Sequence, residues 1–251
     1  MELLLTFLVG IFIILGAFIV LKTQNNDRLV SFSISMAFGV MLTLVILELL
    51  PESFELLHEE YSLGITIGIV LFATILGILL LKILDYFVPD HDIEKQTIKA
   101  HRENLLHISI VSSVALILHN IIEGMAIYSS SVSELSMGIM ISLGVGLHNI
   151  PMGMVITSTY YKANNSKKKT MFMIFIISIS TFIGGLLMHV LGDAFLSNTV
   201  LGLLLAITLG MLIYIIFFEL LPQIIKTKYK KETFIGIIIG VVVLLISLFL
   251  E

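Results

Sequence analysis

The sequence predicts an all-α integral membrane protein with eight transmembrane helices, and three observations carry this prediction. Hydrophobic residues make up 58% of the 251 residues, and charged residues only 13%. The mean hydropathy is +1.09, and long apolar stretches alternate with short polar breaks. This composition excludes the water-soluble classes of protein. Since a transmembrane helix needs about 20 apolar residues, eight of them account for most of the chain.

The apolar stretches, numbered spans 1 to 8, lie at about 3–22, 29–50, 63–84, 105–128, 135–160, 170–191, 199–221 and 233–250. Span 1 lacks the basic start and the cleavage site of a signal peptide, so we expect it to be retained. We expect one transmembrane domain over 1–251, divided into spans 1–3 (about 3–84), spans 4 and 5 (about 105–160) and spans 6–8 (about 170–250). The longest connection, 85–104, contains His91 and His101 and is predicted to be a solvated linker, with metal sensing as the alternative.

The cations predict the orientation of the spans. All 14 Lys and Arg residues lie in or beside the odd-numbered connections: Lys22, Arg28, Lys82, Lys95, Lys99, Arg102, Lys162, Lys167, Lys168, Lys169, Lys226, Lys228, Lys230 and Lys231. Because basic connections stay in the cytoplasm, both chain termini are expected to be extracellular. The absence of a sorting segment favours the plasma membrane of a bacterium.

Composition also restricts the chemistry. The net charge of −4 argues against a nucleic-acid partner, which usually requires a basic surface. The chain has no cysteine, which excludes disulfides, thiolate metal ligands and cysteine nucleophiles. Metal ligands would therefore come from His, carboxylate, Asn or Met side chains.

Repeated motifs predict two related halves. Span 2 contains Gly39 and a Glu-Leu-Leu-Pro motif at 48–51, and span 7 contains Gly210 and the same motif at 219–222, at an offset of 171 residues. The glycine pair of span 3 recurs in span 8 at an offset of 172. These motifs therefore predict that spans 1–3 and 6–8 are inverted repeats in a 3+2+3 arrangement, as in many transporters. Chance similarity between apolar segments is the alternative.

A stronger repeat lies between these halves. Residues 118–127 of span 4 and 147–156 of span 5 are identical at seven of ten positions, and both contain a His-Asn pair. Polar residues repeat as faithfully as apolar ones, which an apolar composition does not explain. We therefore expect the functional site in spans 4 and 5.

Glu123 is the costly residue of this repeat, because a carboxylate in mid-membrane costs about 2.5–3.5 kcal/mol. His119 lies one helical turn before it on the same face, and His148 is expected at a similar depth in span 5. Two imidazoles and a carboxylate are suitable ligands for a borderline divalent metal. Asn120 and Asn149 could bind the metal or hold its ligands in place.

Other residues predict a route through the membrane. Met41 lies two turns before Glu48 on one face of span 2, whereas the remaining methionines are interpreted as packing. Glu48, at the extracellular end of span 2, and Glu219, at the cytoplasmic end of span 7, are predicted as entrance and exit for a cation. The acidic loop 51–62 either concentrates cations outside or is a solvated cap. Pro151 frees a backbone carbonyl beside this route.

These features resemble the ZIP (zinc–iron permease) family of divalent-metal transporters, bacterial type, over nearly the whole chain. His119-Asn120-x-x-Glu123-Gly124 is similar to the family's helix-4 signature, and His148-Asn149-x-Pro151 to its helix-5 signature. The eight spans and the 3+2+3 arrangement with both termini outside also agree.

The resemblance implies a primary metal bound by His119, Glu123 and His148, together with Met41 or its neighbour in span 2, and a secondary metal beside Asn120 and Asn149. The sequence departs from the family at Met152, where Glu or His is usual, and at Thr181, where many relatives have an acidic ligand. We therefore expect one well-formed site. Its softer side at Met152 favours Zn²⁺, Cd²⁺ or Cu⁺ over Mn²⁺.

The resemblance implies import of divalent transition-metal cations, with Zn²⁺ favoured and Cd²⁺, Fe²⁺ and Mn²⁺ left open. The metal is then a substrate rather than a catalytic cofactor, the protein is not an enzyme, and a homodimer in the lipid bilayer is left open. Import would require spans 4 and 5 to move against the outer triplets, or a slow gated pathway. The alternatives are a haem electron carrier with His119 and His148 as axial ligands, and an intramembrane metallohydrolase, whose usual general-base carboxylate is absent.

Overall fold

The computed structural model describes residues 1–23, 26–87, 98–192 and 197–250. Within these ranges the regular structure is helical, and eight helices are long and apolar enough to cross a membrane. They are α1 (Glu2–Lys22), α2 (Asp27–His58), α3 (Leu63–Phe87), α4 (Ile98–Ser133), α5 (Leu135–Asn164), α6 (Lys167–Leu191), α7 (Asn198–Lys226) and α8 (Lys230–Leu250). The all-α membrane class and the eight spans are confirmed.

Three helices extend well beyond their predicted spans. α2 continues to His58, so the prediction of a loop at 51–62 was wrong for most of its length. α4 begins at Ile98, inside the predicted linker 85–104. His101 therefore lies in a helix, and His91 falls outside the described residues. α7 continues five residues beyond its predicted end, to Lys226.

α2 and α7 share the irregularity that allows these extensions. Each contains a π-helical segment, Val45–Leu49 in α2 and Ile215–Leu220 in α7. A proline follows within two residues, in the first turn of the next α-helical segment. Proline is tolerated there because the first helical turn does not need its missing N–H. The prediction that Glu48 and Glu219 end their spans was therefore wrong, since both lie inside a continuous helix.

The polar contacts between helices identify two ends of the bundle. At the basic end, where α1, α3, α5 and α7 end and α2, α4, α6 and α8 begin, Lys162 Nζ lies 3.1 Å from Asp27 Oδ1. At the opposite end, called the acidic end, Asn198 Nδ2 donates a hydrogen bond of 2.6 Å to Glu59 Oε2. Helices therefore alternate in direction along the chain, as the predicted topology requires.

The helices pack as two groups of four. The first group consists of α1, α4, α5 and α6, in which α1 packs against α5 and α6, and α4 against α5 and α6. The second group consists of α2, α3, α7 and α8, with extensive α2–α8 and α3–α7 interfaces. α5 also packs against α2 and α8, which joins the groups. The central pair α4 and α5 thus shares its group with α1 and α6.

Glycines permit the close approach of helices within each group. A Cβ on Gly124 of α4 would collide with the backbone carbonyl of Thr181 in α6, and a Cβ on Gly184 would collide with that of Ile121. In the second group Gly210 of α7 meets the carbonyl of Thr74 in the same way. Small residues at such crossings let helix backbones pack directly against each other in membranes. The backbone of α4 beside the metal site is therefore held against α6.

Candidate metal site

α4 and α5 bring three of the predicted ligands together. His119 Nε2 lies 2.7 Å from Glu123 Oε1, one helical turn away. His148 Nε2 of α5 lies 2.9 Å from the same carboxylate oxygen. The two imidazole rings have centroids 6.4 Å apart. The side chains of His119 and His148 are at most 1% exposed and that of Glu123 is 8% exposed, so one carboxylate oxygen serves two buried imidazoles.

The orientation of these groups is that of ligands rather than of a satisfied hydrogen-bond network. Glu123 Oε2 is buried and has no hydrogen-bond partner among the described residues, and His119 Nε2 lies close to Glu123 Oε1 without hydrogen-bond geometry. The ligand atoms of the three residues lie within 4.8 Å of one another. Buried polar atoms without partners are costly and call for an explanation such as an ion or ordered water. This cluster could hold a divalent cation between two nitrogens and a carboxylate.

Ser247 of α8 is a partner that the sequence did not reveal. Its Oγ lies 3.2 Å from Nδ1 of His148, the ring nitrogen that faces away from Glu123. Such a contact fixes the ring orientation and the tautomer of a metal-binding histidine. Ser247 and His148 are 99 residues apart in sequence, and no motif links them. Only packing of α5 against α8 could identify the pair.

The two asparagines lie beside this cluster and are incompletely satisfied. Asn120 Nδ2 donates a hydrogen bond of 3.2 Å to the carbonyl of Ile177 in α6. Its Oδ1 and both amide atoms of Asn149 are buried without a hydrogen-bond partner among the described residues. The hydroxyl of Thr181, one turn after Ile177, is in the same state. Asn120 and Thr181 thus both lie at the α4–α6 interface.

The methionines of the predicted site lie in the apolar core. Met41 of α2 is 0% exposed and Met152 of α5 is 1% exposed. Both belong to one buried hydrophobic cluster that also contains Ile122, the neighbour of Glu123. The two thioether side chains, one from α2 and one from α5, therefore lie in the same apolar core. Their role as metal ligands stays a prediction.

A cavity of about 270 Å³ connects the ligands with the acidic end. Its lining includes His119 and Glu123 of α4, and Ser130 and Met137 close to the α4–α5 connection. Glu48 and Glu52 of α2 also line it: Glu48 was predicted at a span end, and Glu52 in a loop. Glu48 therefore shares one cavity with the central ligands, which the sequence could not reveal because α2 was expected to end there.

A second cluster lies at the basic end. His107 Nε2 of α4 is 2.5 Å from Asp85 Oδ1 of α3 and 3.6 Å from Glu219 Oε1 of α7. Tyr214 donates a hydrogen bond of 2.6 Å to Asp85 Oδ2. The side chains of Asp85, His107 and Glu219 could also hold a metal ion. The sequence indicated only Glu219, because His107 and Asp85 belong to no repeated motif. The three residues come from three different helices, α4, α3 and α7.

The geometry does not support the haem alternative. Axial ligation would place an iron and its porphyrin between His119 and His148. In the structure the carboxylate of Glu123 lies between these imidazoles, within 2.9 Å of each. A porphyrin slot also requires an apolar, open space between the rings. The cluster is therefore a polar ligand set and not a haem pocket.

The chain is similar to known proteins of one family. A family model described as ZIP Zinc transporter matches residues 88–248. Proteins named Zinc transporter ZupT are similar over nearly the full chain. The one from Chlorobium luteolum is 33% identical, covering 99% of this chain and 97% of the relative. The one from Stenotrophomonas maltophilia is 31% identical, covering 98% of this chain and 93% of the relative. The one from Escherichia coli is 29% identical, covering 99% of this chain and 96% of the relative. The chain therefore belongs to the ZIP zinc transporter family.

Proposed function

We propose that this protein imports divalent transition-metal cations across the plasma membrane, with Zn²⁺ as the favoured substrate. One observation carries the proposal: two imidazole nitrogens converge on one carboxylate oxygen at the bottom of a cavity that reaches the acidic end. Membership of a family of zinc transporters supports the same substrate. The proposal assigns no enzymatic activity, and the metal is cargo rather than a resident cofactor.

The orientation follows from the distribution of charge. The basic end carries the lysines and arginines and is the cytoplasmic end under the positive-inside rule. The acidic end, where α1 begins and α8 ends, then faces the outside. The cavity that leads to Glu123 therefore opens outward. Import begins from this side.

The route has an acidic entrance and an acidic exit. A hydrated cation enters the cavity past Glu48 and Glu52, which raise its local concentration. It exchanges water for the nitrogens of His119 and His148 and for the carboxylate of Glu123 at the midplane. Glu219, together with Asp85 and His107, receives it at the cytoplasmic end. Binding at each station must stay weak enough for release.

The neutral and soft side chains restrict what is carried. Asn120, Asn149 and Thr181 add no charge beside the single carboxylate of Glu123, which favours one bound cation over two. Met41 and Met152 provide thioethers, which are soft ligands. We therefore expect Zn²⁺ and Cd²⁺ to be transported in preference to Mn²⁺.

Zinc uptake into proteoliposomes tests the proposal. Purified wild-type protein is expected to import Zn²⁺, whereas His119→Ala, His148→Ala and Glu123→Gln are expected to reduce uptake to the level of empty vesicles. The matched control is His189→Ala, because His189 contacts Tyr128 at the acidic end and lies outside the ligand cluster. Equal uptake by the wild type and the three ligand variants would remove these residues from the transport site.

A further inference from the structure

We infer that His107 and the contacts beside it form a closed inner gate, which holds the protein in an outward-open state until the cation reaches mid-membrane. The inference rests on the proposed import function and adds to it a resting conformation and the residues that maintain it. It concerns the basic end of the bundle, where the first helix group meets the second.

His107 is the centre of this gate because it joins the two groups directly. It belongs to α4 of the first group and contacts carboxylates from α3 and α7 of the second group, Asp85 at 2.5 Å and Glu219 at 3.6 Å. Its side chain is 11% exposed, and that of Glu219 is 8% exposed. Separating such groups would leave buried polar atoms unmet, which is unfavourable. The contacts therefore favour the closed arrangement.

Two further polar contacts join the same groups at this end. Gln223 of α7 donates a hydrogen bond of 3.0 Å from Nε2 to Asn104 Oδ1 of α4. Lys162 of α5 pairs with Asp27 of α2 at 3.1 Å. Together with His107 they join α4 and α5 to α2, α3 and α7 around the cytoplasmic end of the route. A cation leaving the central ligands must pass between these helices.

The acidic end differs in two respects. The contact between Tyr128 and His189 stays within the first group, and that between Glu59 and Asn198 stays within the second. The cavity lies at the same end and separates α2 and α7 from α4 and α5, since all four contribute to its lining. The His148–Ser247 contact also joins the groups, but at the level of the central ligands. Among the described residues, these polar contacts therefore join the groups at the basic end, whereas a cavity lies between them at the acidic end.

The absence of cysteine allows a direct test by cross-linking. The pair Asn104→Cys and Gln223→Cys places one thiol on each group, and a short, reducible bifunctional thiol reagent can join them. We expect the cross-linked protein to lose Zn²⁺ uptake in proteoliposomes and to regain it on reduction. Zinc binding to the central ligands, measured by equilibrium dialysis in detergent, is expected to remain.

The matched control joins two residues of one group at the same end. Ser31 and Thr227 are in hydrogen-bond contact at 2.8 Å, within the second group. Cross-linking Ser31→Cys to Thr227→Cys is expected to leave uptake unchanged. If the cross-linked 104–223 pair transports zinc as fast as its reduced form, the gate is refuted while the import function stands. If the unmodified protein imports no zinc, the import function itself fails.

A second measurement does not depend on transport. Ser112 is buried in α4 between His107 and His119, so Ser112→Cys reports access from the cytoplasmic side. In inside-out vesicles an impermeant maleimide is expected to react slowly with this thiol and faster when His107→Ala is added. His189→Ala serves as the control that leaves the rate unchanged. An unchanged rate with His107→Ala would contradict a gate at this residue.

Discussion

At the scale of single residues, the carboxylate of Glu123 organises the site. The i,i+4 spacing of His119 and Glu123 and the repeat around His148 predicted this trio, because helical periodicity fixes neighbours within one helix. The same reasoning could not find Ser247 or His107. Their partners come from helices distant in sequence, and only tertiary packing selects such pairs among many buried polar residues.

Ser247→Ala is expected to weaken zinc binding. Removal of the partner of His148 Nδ1 frees the ring to rotate and to change tautomer, which typically lowers metal affinity about 10–100-fold. Competition with a zinc-binding dye in detergent measures the affinity. The control is Ser131→Ala, whose hydroxyl donates to the carbonyl of Ile127 in its own helix. An affinity equal to the wild type would show that Ser247 does not position His148.

We predict that Met152 limits the number of bound cations to one. Met152→Glu is expected to raise the metal content from one to two Zn²⁺ per chain, because a second carboxylate supplies the anionic ligand missing beside Asn120 and Asn149. Met152→Leu is expected to keep one zinc and to lose part of the preference for Cd²⁺ over Mn²⁺. Elemental analysis of purified protein after removal of unbound metal measures the stoichiometry. One zinc in the Glu variant would show that Met152 does not limit the stoichiometry, and two in the wild type would contradict the single-site interpretation.

At the scale of helices, hydropathy predicted the number of spans but not their ends. α2 and α7 pass through a proline because a π-helical segment precedes it, and no sequence signal marks this change of hydrogen-bond register. As a result Glu48 and Glu219 lie inside helices that extend beyond them. The route past these residues is therefore longer than the predicted spans indicated. The matching irregularities agree with the predicted repeat, whose inverted arrangement stays a prediction.

Gly124→Ala tests the contact between α4 and α6. Its added methyl group would collide with the carbonyl of Thr181, and such overpacking typically costs about 1–3 kcal/mol. A lower midpoint of thermal unfolding in detergent is therefore expected. Gly64→Ala is the matched control, since nothing lies within 4 Å of its added Cβ and removal of a helical glycine is neutral or stabilising. Equal midpoints for both variants would argue against direct backbone packing at Gly124.

At the scale of the whole molecule, the sequence predicted outer triplets around a central pair, whereas packing joins α1 and α6 to α4 and α5. The difference arises because sequence repeats identify related segments but not the helices they contact. Small residues at the crossings allow particular helices to pack together. A relative movement would then involve four helices on each side rather than two against six. The interface between the groups contains the central ligands and the inner gate.

The orientation in the membrane is tested by thiol labelling of intact cells. Glu60→Cys, at the acidic end, is expected to react with an impermeant maleimide from outside. Lys228→Cys, in the α7–α8 connection, is expected to react only after permeabilisation. The reversed pattern would show that the cavity opens to the cytoplasm, and the direction of transport would have to be reassigned.

We expect the single acidic ligand, Glu123, to make zinc transport sensitive to the membrane potential. With neutral imidazoles, the ligand set has a charge of −1 when empty and +1 with a dication, so an inside-negative potential favours both the inward step with metal and the return without it. Each charge that crosses the full field contributes about 2.3 kcal/mol per 100 mV. We expect inward current with two charges per zinc in planar bilayers. An electroneutral cycle would require two counter-charges per zinc and would contradict this assignment of charge.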